Sequence, residues 1–164
     1  MSVTVLYASQ ITVQEVLETN VPAAAATGKT IVHTGYNTSK TLTSATSQPV
    51  TKCAIFEQAL AAGVATIDLA ALVGTNGAAV NGTGLKVQLV KFKNKAANAN
   101  VMTFTVGAAN GYDLAGAGFS VALQPGQEMQ LDLADASPDV AAGDKEIDIA
   151  GTGEQIAEIT IVLG

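Results

Sequence analysis

Arginine and tryptophan are both missing from this chain, and cysteine and histidine occur once each. All eight basic residues are lysines, set against fourteen acidic residues, so the formal net charge is −6. Phosphate and guanine recognition relies heavily on the bidentate guanidinium of arginine, and backbone binding needs a basic face. The composition therefore argues against direct binding of nucleic acid.

The single cysteine, Cys53, excludes a disulfide framework within the chain. It lies in residues 50–56, where alternate positions are apolar, and a free cysteine in such a setting is usually a small buried residue. A cysteine nucleophile also needs a base beside it, and His33 is the only histidine. We expect Cys53 to belong to the core.

Catalytic signatures are absent from the sequence. No Gly-x-Ser-x-Gly segment marks a nucleophile near His33, and the glycine-rich segments 107–111 and 116–118 lack the Lys-Ser/Thr of a phosphate loop. Sugar sites usually offer aromatic side chains, but aromatics make up only 4% of the chain. We therefore predict no catalytic residue and no cofactor, and a carbohydrate-binding module is weakly supported.

One acidic stretch, residues 132–148, raises the question of a metal site. Clustered carboxylates can bind Ca²⁺, which takes six to eight oxygen ligands. Its members do not follow the Asp-x-Asp-x-Asp-Gly loop pattern, and some fall on the polar positions of predicted strands. A solvated face is the favoured interpretation, and a cation site remains the alternative. The members are Asp132, Asp135, Asp139, Asp144, Glu146 and Asp148.

Long apolar runs are lacking as well. The first residues contain neither a basic segment nor the apolar stretch of a secretory signal, and no run approaches the ~20 apolar residues of a membrane span. We expect a soluble protein made in the cytoplasm, without a membrane partner.

What the chain does have is apolar alternation with period two. In residues 119–123 and 129–133 the odd positions are large and apolar, which is typical of strands with one buried face. Pro125 and Gly126 suit the centre of a type II turn between them. The pattern predicts a hairpin. Similar strands are predicted over residues 101–106, 146–149 and 157–163.

The alternation changes phase within residues 85–93. Val87 and Leu89 share one parity, whereas Val90 and Phe92 have the other and Lys91 and Lys93 are charged. A β-bulge, a change of sheet or burial of both faces would each account for this shift.

The first half of the chain is less regular. Residues 21–28 indicate a loop, and residues 30–36 and 38–44 suggest a polar hairpin around Asn37. Residues 54–62 settle on no single period, and a strand is expected over residues 65–72. Residues 1–50 form a candidate N-terminal arm.

Heavy use of Thr, Val and Ile, with sixteen glycines for turns, favours an all-β domain. We predict a single antiparallel β-sandwich or jelly-roll-like domain over residues 1–164, with roughly eight to ten strands.

Residues 85–164 resemble small β-rich structural proteins from the virions of tailed phages and prophages. The resemblance is carried by segments 85–89, 101–107 and 158–164 and by the Leu123-Gln124-Pro125-Gly126 segment. It implies a capsid-decorating, cement or tail protein located in the virion, without an active site. It also implies a homo-oligomer, with a trimer favoured, and contacts to other capsid or tail proteins.

Two other functions stay open from the sequence. A ligand-binding module for a glycan or surface receptor would expose Tyr36 or Tyr112, or hold Ca²⁺ in the acidic stretch. An enzyme built around His33 is the least supported.

Overall fold

Fourteen strands and no helix make up the described part of the chain, which in this computed structural model comprises residues 3–16, 30–33 and 37–164. Within these ranges no helix could cross a membrane. The chain divides into two units: Val5–Leu42, called the ribbon, and Met1–Thr4 with Thr43–Gly164, called the sandwich unit.

The ribbon consists of four short strands that form two pairs, the first strand with the fourth and the second with the third. Its strands are β1 (Val5–Ser9), β2 (Val13–Val16), β3 (Thr30–His33) and β4 (Thr38–Leu42). β1 pairs antiparallel with β4, from Val5 opposite Leu42 to Ser9 opposite Thr38, and β2 pairs antiparallel with β3. The predicted hairpin around Asn37 is therefore wrong, because β3 and β4 each pair with an earlier strand. The predicted loop over residues 21–28 lies outside the described residues.

The sandwich unit holds the other ten strands, of which eight form two four-stranded antiparallel sheets. The first sheet has the order β12-β9-β14-β5 and the second has the order β11-β10-β13-β6. The strands are β5 (Lys52–Ala59), β6 (Val64–Asp68), β7 (Leu72–Val73), β8 (Ala79–Val80), β9 (Val87–Asn94), β10 (Met102–Val106), β11 (Ser120–Leu123), β12 (Glu128–Asp132), β13 (Glu146–Ala150) and β14 (Ile156–Leu163). β7 and β8 form a separate small hairpin.

The two sheets pack face to face around one core. The Phe92 ring of the first sheet stacks on the Phe104 ring of the second, with centroids 4.5 Å apart. Ile147 and Ile149 of β13 are buried, as are Ile159 and three more alternate residues of β14. The alternation predicted for β13 and β14 is thus confirmed, and so is the antiparallel β-sandwich.

β11 and β12 belong to different sheets, so the predicted hairpin between them is wrong. The turn itself is present: the Gln127 N–H donates to the Gln124 carbonyl (2.9 Å), and Gly126 has a φ of 82°. The chain uses this turn to cross from one sheet to the other. Both strands point their apolar residues into the same core, so alternation alone gives no information about which sheet each strand joins.

The predicted phase change in β9 is explained by a register irregularity. Val162 lies opposite Leu89, but the next residue, Leu163, lies opposite Val87, so Gln88 is the extra residue. The shift lets Val87 and Val90 both contribute to the core although they differ in parity. The bulge interpretation is confirmed.

Two segments of the first half also differ from expectation. Residues 54–62, which settled on no period, lie largely in β5. The strand expected over residues 65–72 runs instead from Val64 to Asp68 and is followed by a turn before β7.

Candidate interaction surfaces

Cys53 lies half-buried in β5 and opposite Val162 of β14. The expectation that it is a core residue is wrong. The neighbouring Ala54 is the fully buried residue, because the parity of β5 turns Ala54 and Phe56 toward the core and Cys53 and Ile55 away from it. Ile55 is accordingly 52% exposed.

His33 ends β3, where its backbone pairs with Val13. Its side chain is outside the described residues, as is the whole of Tyr36. These two positions of the sequence analysis therefore remain predictions.

The acidic stretch is separated into several local contacts. Asp135 binds Gln88 through its Oδ1 (2.8 Å) and lies 3.7 Å from Lys86 through its Oδ2. Asp148 accepts hydrogen bonds from Thr66 and from the Ala108 N–H. In the described ranges, no three His, Cys, Asp or Glu side chains come together in a way that could hold a metal ion.

Tyr112 is fully buried, so it offers no exposed platform for a ligand. Its hydroxyl donates to the Pro138 carbonyl (2.7 Å) and accepts from the Val87 N–H (3.0 Å). Burial raises the pKa of Tyr112 above its ordinary value. The phenol therefore fastens the 138 region to the start of β9.

A polar network surrounds the β9 bulge. Gln88 is fully buried and donates to Asp135 Oδ1 and, at 3.2 Å, to the Gly164 carbonyl. Ala134 and Asp135 both have positive φ (48° and 65°) in a turn closed by the Ala136 N–H to the Leu133 carbonyl. These contacts hold a backbone that non-glycine residues seldom adopt.

The outer face of the first sheet, called the charged face, carries rows of lysine and glutamate. Two lysines of β9 and a third just after its end each form an ion pair with an acid on another strand of the sheet. The pairs are Lys91–Glu128 (2.9 Å), Lys93–Glu158 (2.6 Å) and Lys95–Glu57 (2.6 Å). Glu57 and Glu158 lie directly opposite each other, and the lysines relieve the repulsion between them.

Electrostatics on this face are reciprocal. The hydrogen bond and charge of Glu158 raise the pKa of Lys93, and Lys93 lowers the pKa of Glu158 in turn. A shallow groove of about 410 Å³ runs between these side chains and Ile55. Because its polar lining is already paired, the groove offers few unsatisfied groups to a small ligand.

The outer face of the second sheet, called the small-residue face, has a different character. Thr103 lies between Ala122 and Ala150 across the strands, and Thr105 lies between Ser120 and Asp148. Val64 at the edge is 62% exposed. This face presents short side chains on β10 and β11 and three carboxylates, Asp68, Glu146 and Asp148, on β6 and β13.

The ribbon carries the two most exposed large apolar residues of the described chain, Leu6 and Ile11, and it also exposes Val13. Leu6 is 82% exposed, Ile11 is 78% exposed and Val13 is 46% exposed. Across the β1–β4 pair, the Lys40 ammonium lies 5.5 Å from the centroid of the Tyr7 ring. Apolar side chains left in water in this way mark surfaces that other proteins can cover.

Comparison of the chain with protein-family models, curated proteins and solved structures finds no match in any of the three.

Sequence reasoning missed the charged face, and of the ribbon it gave only a candidate arm over residues 1–50 without the strand pairing. The lysines in and just after β9 could not be assigned ion-pair partners from the sequence, because those acids lie 37 or more residues away. The sequence pattern also gave no indication that Leu6 is exposed.

Proposed function

We propose that this chain is a structural subunit of a virion, a capsid-decorating or cement protein that acts through protein–protein contacts. The observation that carries the proposal is the order of the strands in the sandwich. The contacts of the side chains, the resemblance and the exposed ribbon are consistent with it.

Counting only the eight strands of the two sheets, in chain order from β5, the first sheet reads sixth-third-eighth-first. The second sheet reads fifth-fourth-seventh-second. The chain thus passes repeatedly between the sheets, and only β10 and β11 are neighbours both in sequence and in a sheet. We interpret this winding as a jelly roll, the architecture that viral capsid domains share with lectins and cupins.

The side chains favour a capsid role over a lectin role. Tyr112 is buried, and the groove on the charged face is lined by lysines and glutamates that bind one another. A sugar site needs convergent polar groups with open valences and apolar walls. The described residues supply no such arrangement, whereas the ion-paired face and the exposed apolar residues of the ribbon suit contacts between proteins.

The resemblance of residues 85–164 to virion structural proteins supports the same proposal. Those residues contribute strands to both sheets, so the resemblance covers most of the sandwich. Fold alone does not assign a function, and for this reason the proposal also depends on the surfaces.

Immunogold electron microscopy tests the proposal. Antibody raised against the purified chain is applied to virus-like particles isolated from the organism that encodes it. Regular labelling of particle heads supports the proposal. Chain found only in the soluble fraction, with unlabelled particles, would overturn it, and labelled tails would move the chain to the tail.

The alternative, a ligand-binding module for a glycan or receptor, predicts a different result. A glycan array probed with the chain, with and without Ca²⁺, would give reproducible binding that Ca²⁺ or one sugar class controls. An array without signal, together with labelled particles, would remove this alternative.

A further inference from the structure

We propose that the outer edge of β1 pairs antiparallel with β1 of a second copy of this chain, which joins two ribbons into one four-stranded sheet. This inference rests on the proposed function, because it names a surface through which structural subunits meet. Its test reads self-association and is separate from the labelling of particles.

β1 has an edge that no described strand occupies. In the described ranges β1 pairs with β4 alone. An edge strand presents a row of unpaired N–H and C=O groups that can template another strand. A lone two-stranded ribbon is only marginally stable in water, so added strands would stabilise it.

The composition of β1 leaves this edge unprotected. Residues 3–13 contain no charged residue, no proline and no glycine, and they include the exposed Leu6 and Ile11. Proteins usually block such edges with lysine or proline. The other strand of the pair, β4, carries Lys40 at its centre, so of the two edges β1 is the one suited to pairing.

The distribution of charge favours a second copy as the occupant. Val5–Leu42 holds two glutamates and two lysines and is neutral, so the net charge of −6 resides entirely outside the ribbon. Sandwich units of two copies therefore repel each other, whereas ribbons do not. Pairing β1 with β1 of another copy places no charge opposite a like charge.

Pairing of identical strands in antiparallel orientation creates a two-fold contact. The resemblance implies trimers or rings, so the two expectations differ in the mass that they give. A dimer, or a larger assembly with an even number of copies, agrees with the β1 contact. A trimer that survives substitution in β1 does not.

The first test measures molar mass by light scattering over a concentration series. Leu6→Lys should raise the dissociation constant by at least about tenfold, because it places two lysines close to the two-fold axis. Val64→Lys is the matched control, since Val64 is also an exposed apolar residue and lies on the sandwich. It should leave the dissociation constant unchanged.

The second test maps the contact by disulfide formation in a Cys53→Ala background. Single cysteines replace Leu6, Tyr7 or Ala8, one at a time, and the protein is mildly oxidised. At least one should cross-link, because disulfides need Cα atoms within about 7 Å. Cysteine in place of Ser39 on β4 should not, since the two β4 strands would lie about 14 Å apart in the joined sheet.

A chain that stays monomeric at every concentration, with no cross-link at the β1 positions, would overturn the inference. Equal weakening by Leu6→Lys and Val64→Lys would do so too. Particles could still be labelled in either case, and then the proposed function would stand without the β1 contact. Unlabelled particles together with a β1 dimer would overturn the proposed function and leave the β1 contact standing.

Discussion

Single residues fasten the loops of the sandwich unit to its sheets through buried polar contacts. Tyr112, the largest fully buried side chain, connects the Pro138 carbonyl to the Val87 N–H. Ser137 adds a hydrogen bond to the Val87 carbonyl (2.7 Å). Both backbone groups of Val87 thus find partners at the point where β9 begins, before its bulge.

Tyr112→Phe should lower the free energy of unfolding by about 1–3 kcal/mol, because the buried Val87 N–H loses its acceptor while the ring still fills its place. Urea denaturation followed by circular dichroism measures the change. Tyr7→Phe, at a half-buried tyrosine of the ribbon, is the control and should stay within about 0.5 kcal/mol. Equal stabilities of the Tyr112→Phe variant and the wild type would contradict the bridging role.

The turn at residues 133–136 stores strain that can be relieved. Ala134→Gly should raise the free energy of unfolding by about 0.5–1 kcal/mol, because glycine adopts the positive φ of 48° without a Cβ penalty. Asp135→Gly is the informative counterpart. It relieves the same kind of strain but removes the partner of Gln88, and we expect a net loss of about 1 kcal/mol. Thermal unfolding of both variants measures these changes. A lower free energy of unfolding for Ala134→Gly would refute the argument.

At the scale of elements, the sequence pattern predicted which face of a strand is buried better than it predicted which strands pair. Alternation in β10, β13 and β14 correctly gave the buried side chains, because burial of one face has period two. The turn at Pro125 and Gly126 was also predicted. The assignment of β11 and β12 to one hairpin failed because both sheets bury their apolar faces in the same core. Which strands become neighbours depends on contacts distant in sequence.

The charged face illustrates a second limit at this scale. A lysine on a strand predicts only a solvated position, whereas its ion-pair partner is set by the order of the strands. Lys93 and Glu158 lie on neighbouring strands because β14 pairs with β9, and no local signal carries that pairing. The acids of the candidate metal stretch are separated for the same reason, because the strand order and not their spacing in the sequence sets their partners.

Acid should weaken the sheet through Glu158. Its pKa is lowered by Lys93 from an ordinary value of 4.5, so its contribution is present above about pH 4.5 and is lost as the pH falls through the folded pKa. Glu158→Gln should be less stable than the wild type at pH 7 and equally stable near pH 3. Denaturation at several pH values measures this difference.

Glu154→Gln is the control for that series, since Glu154 is an exposed glutamate in the loop before β14. It should follow the wild-type profile at every pH. A gap between wild type and Glu158→Gln that persists undiminished at low pH would show that the substitution acts through packing and not through charge.

At the scale of the whole molecule, the sandwich unit contains the core and the ribbon carries the most exposed apolar side chains. The buried core cluster comes entirely from residues 54–163 and includes no described residue of Val5–Leu42, although Leu42 itself is buried. The ribbon is neutral and exposes Leu6 and Ile11, whereas the sandwich carries the net negative charge. An all-β sandwich could be predicted from composition and period. Of the ribbon, only a candidate arm over residues 1–50 could be predicted. Its strand pairing could not, because β1 and β4 pair across 28 or more intervening residues without a strong apolar pattern.

Removal of the ribbon should therefore leave the sandwich folded. Val5 and Leu42 pair with each other, so the ends of the ribbon are adjacent and a short Gly-Ser linker can replace Val5–Leu42. We expect cooperative urea unfolding with a midpoint close to that of the monomeric Leu6→Lys variant, because the core is intact. Light scattering should give a monomer at every concentration. An excised protein that fails to fold would show that the sandwich depends on the ribbon, and one that still self-associates would move the contact from β1 to a face of the sandwich.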